Sequence, residues 1–242
     1  MKFCLLTLAG TKSSVERSDF AFFLTQPDQL QDEVRRFALT IEDFALLNPN
    51  TRTCPIFRSR IDADLTKRIY SRVPVLVNEN DPEYSNPWGI KFSTMFHMSN
   101  DSHLFKTKDD MERMGFELEG NIFRKGDKRY LPLYEAKMTQ IYDHRAADVV
   151  ISETAMIRQG QTDVLSDDNH TDIHRVPISR YWISSDDVES AIPDDYHRNW
   201  LLGFTDVTSP TNMRTFLPVI LPRVGVGHTL PLVLPQSLMT AS

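Results

Sequence analysis

The segment Arg214–Pro231 (RTFLPVILPRVGVGHTLP) constrains the fold of this chain more than any other stretch. Its continuous apolar run, ending at Leu221, is typical of a strand buried in a sheet. Gly225 and Gly227 then favour a tight turn, and another apolar run begins. Only eleven residues follow Pro231, the last of them Ser242. We therefore expect the sheet that receives these strands to be incomplete within this sequence.

A second apolar run, from Phe3 to Leu8, lies in the opening residues MKFCLLTLAG. It has one preceding lysine and is shorter than the apolar core of a secretory signal, so we expect no export. Because the run does not alternate, it predicts a strand buried on both faces, as in an α/β sheet. A central strand so early in the chain leads us to expect further strands of its sheet upstream.

Composition excludes several classes of protein. Apolar residues make up 40% and charged residues 25% of the chain, as in ordinary globular domains. No window approaches the ~20 apolar residues of a membrane helix. The formal net charge of −6 argues against a free-standing DNA-binding protein, while local basic patches remain compatible with DNA contact. Cys4 and Cys54 are interpreted as reduced core residues, which predicts a cytoplasmic location.

Local patterns predict an α/β fold for residues 1–80 and a mixed α+β fold for residues 81–242. The boundary is placed in the polar stretch Asn78–Pro87. In the first part, Thr40 is predicted to cap a helix over Ile41–Leu47, with acidic residues in its first turn. The other elements predicted there are a strand over Phe20–Thr25, a helix over Pro27–Phe37, a helix over Ile61–Val73 and a strand over Pro74–Val77.

The second part is predicted to contain more strands. A hairpin is expected around Lys125–Asp127, and Ser184 or Ser185 is expected to cap a short helix. The polar stretch His144–His174 shows little periodicity and predicts a long loop. The other predicted elements are a helix over Lys106–Met114 and strands over Trp88–Met98, Ser179–Ile183, Asn199–Phe204 and Arg214–Leu221.

The segment Thr51–Arg72 is basic within an acidic chain. Its six cations minus its two carboxylates, Asp62 and Asp64, give a local charge of +4. The cations are Arg52, Arg58, Arg60, Lys67, Arg68 and Arg72. Such a patch can contact DNA phosphates, which position a protein without reading sequence. The alternative is a solvated helix face on which aspartates pair with neighbouring cations.

Two further clusters invite comparison with enzyme sites. His170 and His174 have the spacing of a metal site on a helix, yet their Asn-, Asp- and Ser-rich surroundings favour a polar loop. The segment Tyr134–Arg145 (YEAKMTQIYDHR) fits either acid–base chemistry or a salt-bridged surface turn. Its ionisable members are Tyr134, Glu135, Lys137, Asp143, His144 and Arg145. No nucleophile motif accompanies them, so the residues alone predict no catalytic group.

Two short motifs are interpreted as turns. NPNT, at Asn48–Thr51, is close to the Asn-Pro-Pro-aromatic motif of amino-directed DNA methyltransferases, in which the aromatic ring stacks on a flipped base. Here Asn50 and Thr51 replace the second proline and the aromatic residue, so an Asx-Pro turn is predicted. GVGHT, at Gly225–Thr229, lacks the third glycine and the following helix of a dinucleotide loop. It predicts a tight turn between strands.

Longer strings are collinear with one family along nearly the whole chain, to about Leu234. They are LLNPNTRTCPIFRSR (46–60), NPWGIKF (86–92), NDSHLF (100–105), YLPLYEAKMTQIYDHR (130–145), RYW (180–182) and WLLGFTDVTSPTNMRTFLPVILPRVGVGHTLPL (200–232). Together they resemble large bacterial adenine-N6 DNA methyltransferases of restriction–modification and phage-defence systems, including fused type II enzymes. The resemblance implies that residues 1–80 end a Rossmann-like methylase sheet and that residues 81–242 lead toward target recognition.

The resemblance also implies what this chain leaves out. The family's cofactor-binding glycine motif and its catalytic motif lie before the matching region, and its recognition segment continues after it. Pro235–Ser242 does not resemble the family. Thr205 stands where arginine is typical, Met213 where an acidic residue is typical, and Ala136 where glycine is typical. We therefore expect no catalytic, cofactor-binding or metal-binding residue here, with S-adenosylmethionine bound by the parent enzyme.

Three functions follow as alternatives. The chain is a fragment or split part of an adenine-N6 DNA methyltransferase that helps to position DNA, or a non-catalytic subunit that completes a separately encoded methylase half. The third alternative is an unrelated hydrolase or metal-dependent enzyme. The expected partners are DNA, bound weakly, and the methylase half, with no membrane. The candidate DNA contacts are the six cations of Thr51–Arg72 together with Lys137, His144 and Arg145.

Overall fold

The computed structural model describes residues 4–82, 85–150, 160–209 and 213–235. Within these residues the chain is mixed α/β, with several small antiparallel sheets and one mixed sheet. The chain divides into two compact units, Met1–Trp88 and Gly89–Ser242. In the described ranges, no helix has the length and apolarity needed to cross a membrane.

The first unit contains one antiparallel strand pair and two helices. β1 (Arg17–Phe20) pairs with β2 (Phe37–Thr40). Thr40 then caps α1 (Ile41–Leu47), because its hydroxyl accepts a hydrogen bond from Asp43 N at 3.2 Å and its own N–H donates to the Asp43 carboxylate at 3.0 Å. This predicted cap is confirmed. α2 (Arg60–Tyr70) follows after an extended segment.

The core of the first unit is largely aromatic. Phe37 and Leu39 of β2 are buried together with Leu47 of α1 and Ala63 of α2. The ring of Phe37 meets that of Phe57 edge-on, with centroids 5.4 Å apart. Since α2 reaches this core through Ala63, most of its longer side chains lie toward solvent.

The early apolar run is not a buried strand in its described part. Residues 4–8 have no regular structure, and Leu5, Leu6 and Leu8 are 87%, 76% and 79% exposed. Phe3 lies outside the described residues. Cys4 is exposed too, so its predicted core position is wrong, whereas Cys54 is partly buried and both thiols are free. Burial raises the pKa of the Cys54 thiol.

Three other predictions for the first unit are corrected. The strand predicted over Phe20–Thr25 ends at Phe20, because the ladder to β2 begins at Arg17 and spans four residues. The helix predicted over Pro27–Phe37 is only a 3-10 turn at Pro27–Gln31, since Phe37 pairs in β2. Pro74–Val77 has no ladder partner among the described residues and is not a strand.

The second unit is organised around β6 (Lys128–Tyr134). This strand pairs antiparallel with β5 (Ile122–Lys125) and β9 (Trp182–Ser184), and parallel with β12 (Gly225–Val226). β4 (Glu117–Glu119) extends the same sheet beyond β5. The predicted hairpin is confirmed: Gly126, whose φ is 55°, makes the turn between β5 and β6.

A separate four-stranded antiparallel sheet completes the second unit. Its order is β11 (Pro218–Pro222), β10 (Trp200–Phe204), β13 (Leu232–Pro235) and β3 (Ile90–Ser93). One face of this sheet joins a core cluster shared with β6, β9 and β12. The buried members from the four-stranded sheet are Leu201, Val219, Leu221, Leu232 and Leu234.

The described part of the second unit also contains short helices. α3 (Lys108–Arg113) lies within its predicted range, and α5 (Ser185–Ala191) begins after its predicted cap, Ser184, whose hydroxyl accepts from Asp187 N at 3.1 Å. α4 (Asp167–Thr171) precedes β9 in the chain.

The loop predicted over His144–His174 is wrong in its described part. β7 (Ala147–Val150) pairs there with β8 (Gln161–Val164), followed by α4, whereas residues 151–159 lie outside the described residues. The reason is tertiary. Ala147 and Val149 are buried, and Asp148 accepts a hydrogen bond from Ile178 N at 2.8 Å and pairs with Arg175. These contacts stabilise the pairing of β7 with β8, although their sequences show little periodicity.

Candidate functional site

The predicted basic segment occupies α2, the loop before it and the two residues after it, in the first unit. The Ser59 hydroxyl accepts a hydrogen bond from Asp62 N at 3.2 Å and so caps α2, which therefore begins at the cation Arg60. All of the arginines are exposed, and among the described residues none of their guanidinium groups forms an ion pair. These residues are Arg52, Arg58, Arg60, Arg68 and Arg72. Arg58 lies over the ring of Phe23, 5.4 Å from its centroid.

Lys67 differs from these arginines because it is already neutralised. Its Nζ lies 3.4 Å from the Asp43 carboxylate of α1 and 3.8 Å from the Asp64 carboxylate. These three side chains line an open depression of about 460 Å³. The other lining residues are Leu46, Arg68 and Ser71. The paired-face interpretation therefore holds for Lys67 and fails for the arginines.

The NPNT segment is a turn, as predicted, and its polar groups have partners inside the chain. The Asn48 amide donates to Thr53 Oγ1 at 2.6 Å, and the Asn50 side chain bonds to Val77 O and Glu79 N. The Pro49 carbonyl accepts from the Asn80 amide at 2.7 Å. The groups that would hold a target base in a methyltransferase motif are thus occupied.

Glu135 lies at the end of β6, between two cations. It is 9% exposed, and its carboxylate lies 3.1 Å from Lys137 Nζ and 3.5 Å from Arg180 Nε. Lys137 also donates to Gly160 O at 2.9 Å. Two opposite charges around one buried carboxylate make a structural ion cluster. Lys137, a predicted DNA contact, is therefore engaged here.

The turn after Glu135 is held by a network around Asp143. The Asp143 carboxylate accepts from Arg145 N at 2.7 Å and lies 3.1 Å from His170 Nε2. The second ring nitrogen, His170 Nδ1, lies 2.9 Å from Ser166 O. The Ser166 carbonyl, and next the Asp143 carboxylate, raise the pKa of His170. With both ring nitrogens engaged, His170 lacks a free one for proton transfer to a substrate.

Arg145 and His144 are also predicted DNA contacts, and both are half-buried. The Arg145 guanidinium donates to the carbonyls of His170, Asp172 and Arg175 at 3.0 to 3.1 Å. Burial lowers the pKa of His144. Burial also raises the pKa of Tyr134, which is 1% exposed. The segment Tyr134–Arg145 thus contributes mainly to the core and to a braced turn.

Tyr142 is the feature of this turn that sequence reasoning misses. Its φ of 61° lies in the left-handed region, which a bulky residue rarely adopts, and its side chain is 79% exposed. Main-chain hydrogen bonds stabilise this conformation. Tyr142 N donates to Pro218 O at 2.9 Å, and Gln140 and Asp143 donate to each other's carbonyl groups at 2.8 and 3.0 Å. Nothing in the sequence signals this, because glycine, asparagine or aspartate usually marks such a position.

The two glycines of GVGHT are used differently from the prediction. Gly225 and Val226 form β12, parallel to Leu133 and Tyr134 of β6, and the turn comes later, at His228 and Thr229. The predicted turn between strands is therefore present, closed by Leu230 N donating to Gly227 O at 3.0 Å, but Gly225 lies before it in β12, where close packing on β6 leaves no room for a side chain.

The polar loop predicted around His170 and His174 contains α4 in its first part, and among the described residues nothing supports the alternative of a metal site. α4 ends at Thr171, so the two histidines do not share one helix face. In the described ranges no group of three His, Cys, Asp or Glu side chains is arranged to hold a metal ion.

No protein-family model matches this chain, and no curated protein or solved structure shows significant similarity to it.

Proposed function

We propose that this chain positions DNA as a part of an adenine-N6 DNA methyltransferase of a restriction–modification or phage-defence system. Residues 1–80 correspond in this proposal to the end of a Rossmann-like methylase sheet, and residues 81–242 lead toward target recognition. The catalytic motifs and the S-adenosylmethionine site belong to protein outside these residues, and the enzyme acts in the cytoplasm. The sequence strings similar to this family carry the methyltransferase assignment.

One structural observation supports the DNA-positioning role. The five arginines of Arg52–Arg72 are exposed and, within the described part of the chain, have no carboxylate partner. Phosphate oxygens are the natural ligands of such guanidinium groups. Lys67, Lys137 and Arg145 have partners already, so the proposal assigns DNA contact to the arginines of the first unit.

The second unit gives independent support. The strings that resemble the family are separated in sequence, yet they form adjacent strands around one core. YLPLYEAKMTQIYDHR supplies most of β6, RYW leads into β9, and the longest string supplies β10, β11 and β12. Similar strings that lie far apart in sequence thus contribute to one core of the second unit, as a shared fold would produce.

Replacing both Arg68 and Arg72 with glutamine is expected to flatten the salt dependence of DNA binding. Each lost phosphate contact lowers the slope of log K against log salt by about 0.9, so a change of up to about 1.8 is expected. Fluorescence anisotropy with a labelled 30-base-pair duplex between 50 and 200 mM salt measures this slope. Arg113→Gln is the matched control, because Arg113 is exposed but paired with Asp110 at 2.5 Å. An unchanged slope in the double variant would count against the patch.

The methyltransferase assignment is tested in cells. Deleting the coding region from the native cell should remove N6-methyladenine at one recurring sequence, as read by single-molecule sequencing. Restoring the wild-type chain or Arg113→Gln should recover the mark, and the Arg68→Gln, Arg72→Gln double variant should recover it only partly. An unchanged methylation map after deletion would reject the assignment, whereas the salt slope would still report DNA contact.

A further inference from the structure

The four-stranded sheet of the second unit has an apolar face opposite the face that joins the core. Along each strand, side chains alternate between the core and the opposite face. The ladder registers place ten residues on that opposite face, and none is charged or polar. We call these ten residues the outer face: Ile90, Phe92, Trp200, Leu202, Phe204, Pro218, Ile220, Pro222, Val233 and Pro235.

The outer face is exposed at its two edges and half-buried or buried between them. Phe92 on β3 is 54% exposed and Ile220 on β11 is 57% exposed, while Val233 between them is 7% exposed. Phe204 contacts both Phe92 and Phe216, with ring centroids 6.3 and 5.4 Å apart. A sheet face of this composition must be buried against another element, and exposed aromatic patches mark interaction sites.

The chemistry and the area of the outer face limit which kind of partner can cover it. A nucleic acid would need cations for its phosphates, and none of the ten residues supplies one. Four strands about 4.8 Å apart and about five residues long give a footprint of about 300 Å². A stable complex of two copies would need about 800 Å² on each. The face is therefore too small for a dimer interface of that kind.

Addition of another strand is also disfavoured. The edge strand β11 carries Pro218 and Pro222, which lack the N–H that a ladder requires. The other edge, β3, has four residues and includes Lys91, a residue type that protects sheet edges. An α-helix about 10 Å wide needs no edge, and about eleven residues cover a length of 17 Å.

We propose that the outer face binds one amphipathic α-helix of a partner protein. The helix packs apolar residues spaced i, i+3, i+4 and i+7 on Ile220, Leu202 and Phe92. Arg198 lies over the Trp200 ring at 5.2 Å, at one end of the face. A carboxylate on that end of the helix complements this cation. The inference is independent of the methyltransferase assignment.

A phage-displayed library of 14-residue helices tests the proposal. Four spaced positions are apolar and varied, and the remaining positions are polar. The wild-type chain is expected to enrich helices that bind with micromolar affinity as synthetic peptides in fluorescence anisotropy. Ile220→Glu should weaken this binding at least tenfold. Ile173→Glu is the matched control, because Ile173 is 80% exposed and lies outside this sheet, and it should change the affinity less than twofold.

Three results would overturn the inference. The first is that no helix is enriched, or that enriched helices bind Ile220→Glu as well as wild type. The second is a dimer in multi-angle light scattering that Ile220→Glu dissociates, which would assign the face to a second copy. The third is binding of a dT20 oligonucleotide that Ile220→Glu abolishes. Circular dichroism confirms that each variant is folded, and Phe92→Asp repeats the test from the opposite edge.

Discussion

Replacing Trp182 with alanine is expected to lower the free energy of unfolding of the second unit by about 3–5 kcal/mol. Trp182 is 1% exposed, and its ring meets Phe123 edge-on with centroids 4.9 Å apart. Its indole N–H donates to Asn121 O at 2.8 Å. Alanine would leave a cavity between β6, β9 and α3 and an unsatisfied Asn121 carbonyl.

Urea unfolding followed by hydrogen exchange of the β6 amides measures this loss in the second unit. Trp182→Phe keeps most of the buried ring and removes the indole N–H, so a loss nearer 1–3 kcal/mol is expected. Trp88→Ala is the control, because Trp88 is 51% exposed and its removal should change stability by about 1 kcal/mol or less. A Trp182→Ala variant as stable as this control would contradict the packing described for β9.

Gly225→Ala is expected to destabilise the second unit by about 1–3 kcal/mol through overpacking. A Cβ at this position would lie 2.6 Å from Ile183 Cγ2 and 3.1 Å from Leu133 Cδ1. Both neighbours are buried, with Ile183 0% and Leu133 1% exposed, so neither can move away freely. The strain would fall on the parallel pairing of β12 with β6.

A double variant separates this clash from other effects of alanine. Ile183→Leu removes the branching methyl that the new Cβ would meet, so adding it to Gly225→Ala should recover part of the lost stability. Gly10→Ala is the control, because nothing lies within 4 Å of a Cβ built there. Equal urea midpoints for Gly225→Ala and Gly10→Ala would show that β12 does not pack as described.

Features set by neighbouring residues are the ones that sequence predicts well here. Thr40 and Ser184 cap their helices through bonds to residues three positions ahead, so the signal is local. The turn at Gly126 is local for the same reason. By contrast, β12 pairs with β6 about ninety residues earlier, and no local pattern in GVGHT indicates a partner so distant.

The same distinction applies to burial and to the candidate site. Leu5 and Leu6 belong to an apolar run, yet apolar character predicts burial only where a second surface is available to cover it. The charge of Thr51–Arg72 is visible in the sequence, and so are its cations. Which cation is neutralised is not visible, because Lys67 pairs with Asp43, 24 residues away and on another helix.

The pairing of β3 with β13 also has a consequence for synthesis on the ribosome. β3 ends at Ser93 and its ladder partner begins at Leu232, so Phe92 is made long before Val233, the residue opposite it in β13. At about 5–20 residues per second, the nascent β3 waits roughly 7–28 seconds for β13. The four-stranded sheet is complete only after residue 235 has been made, and until then β3 lacks its ladder partner.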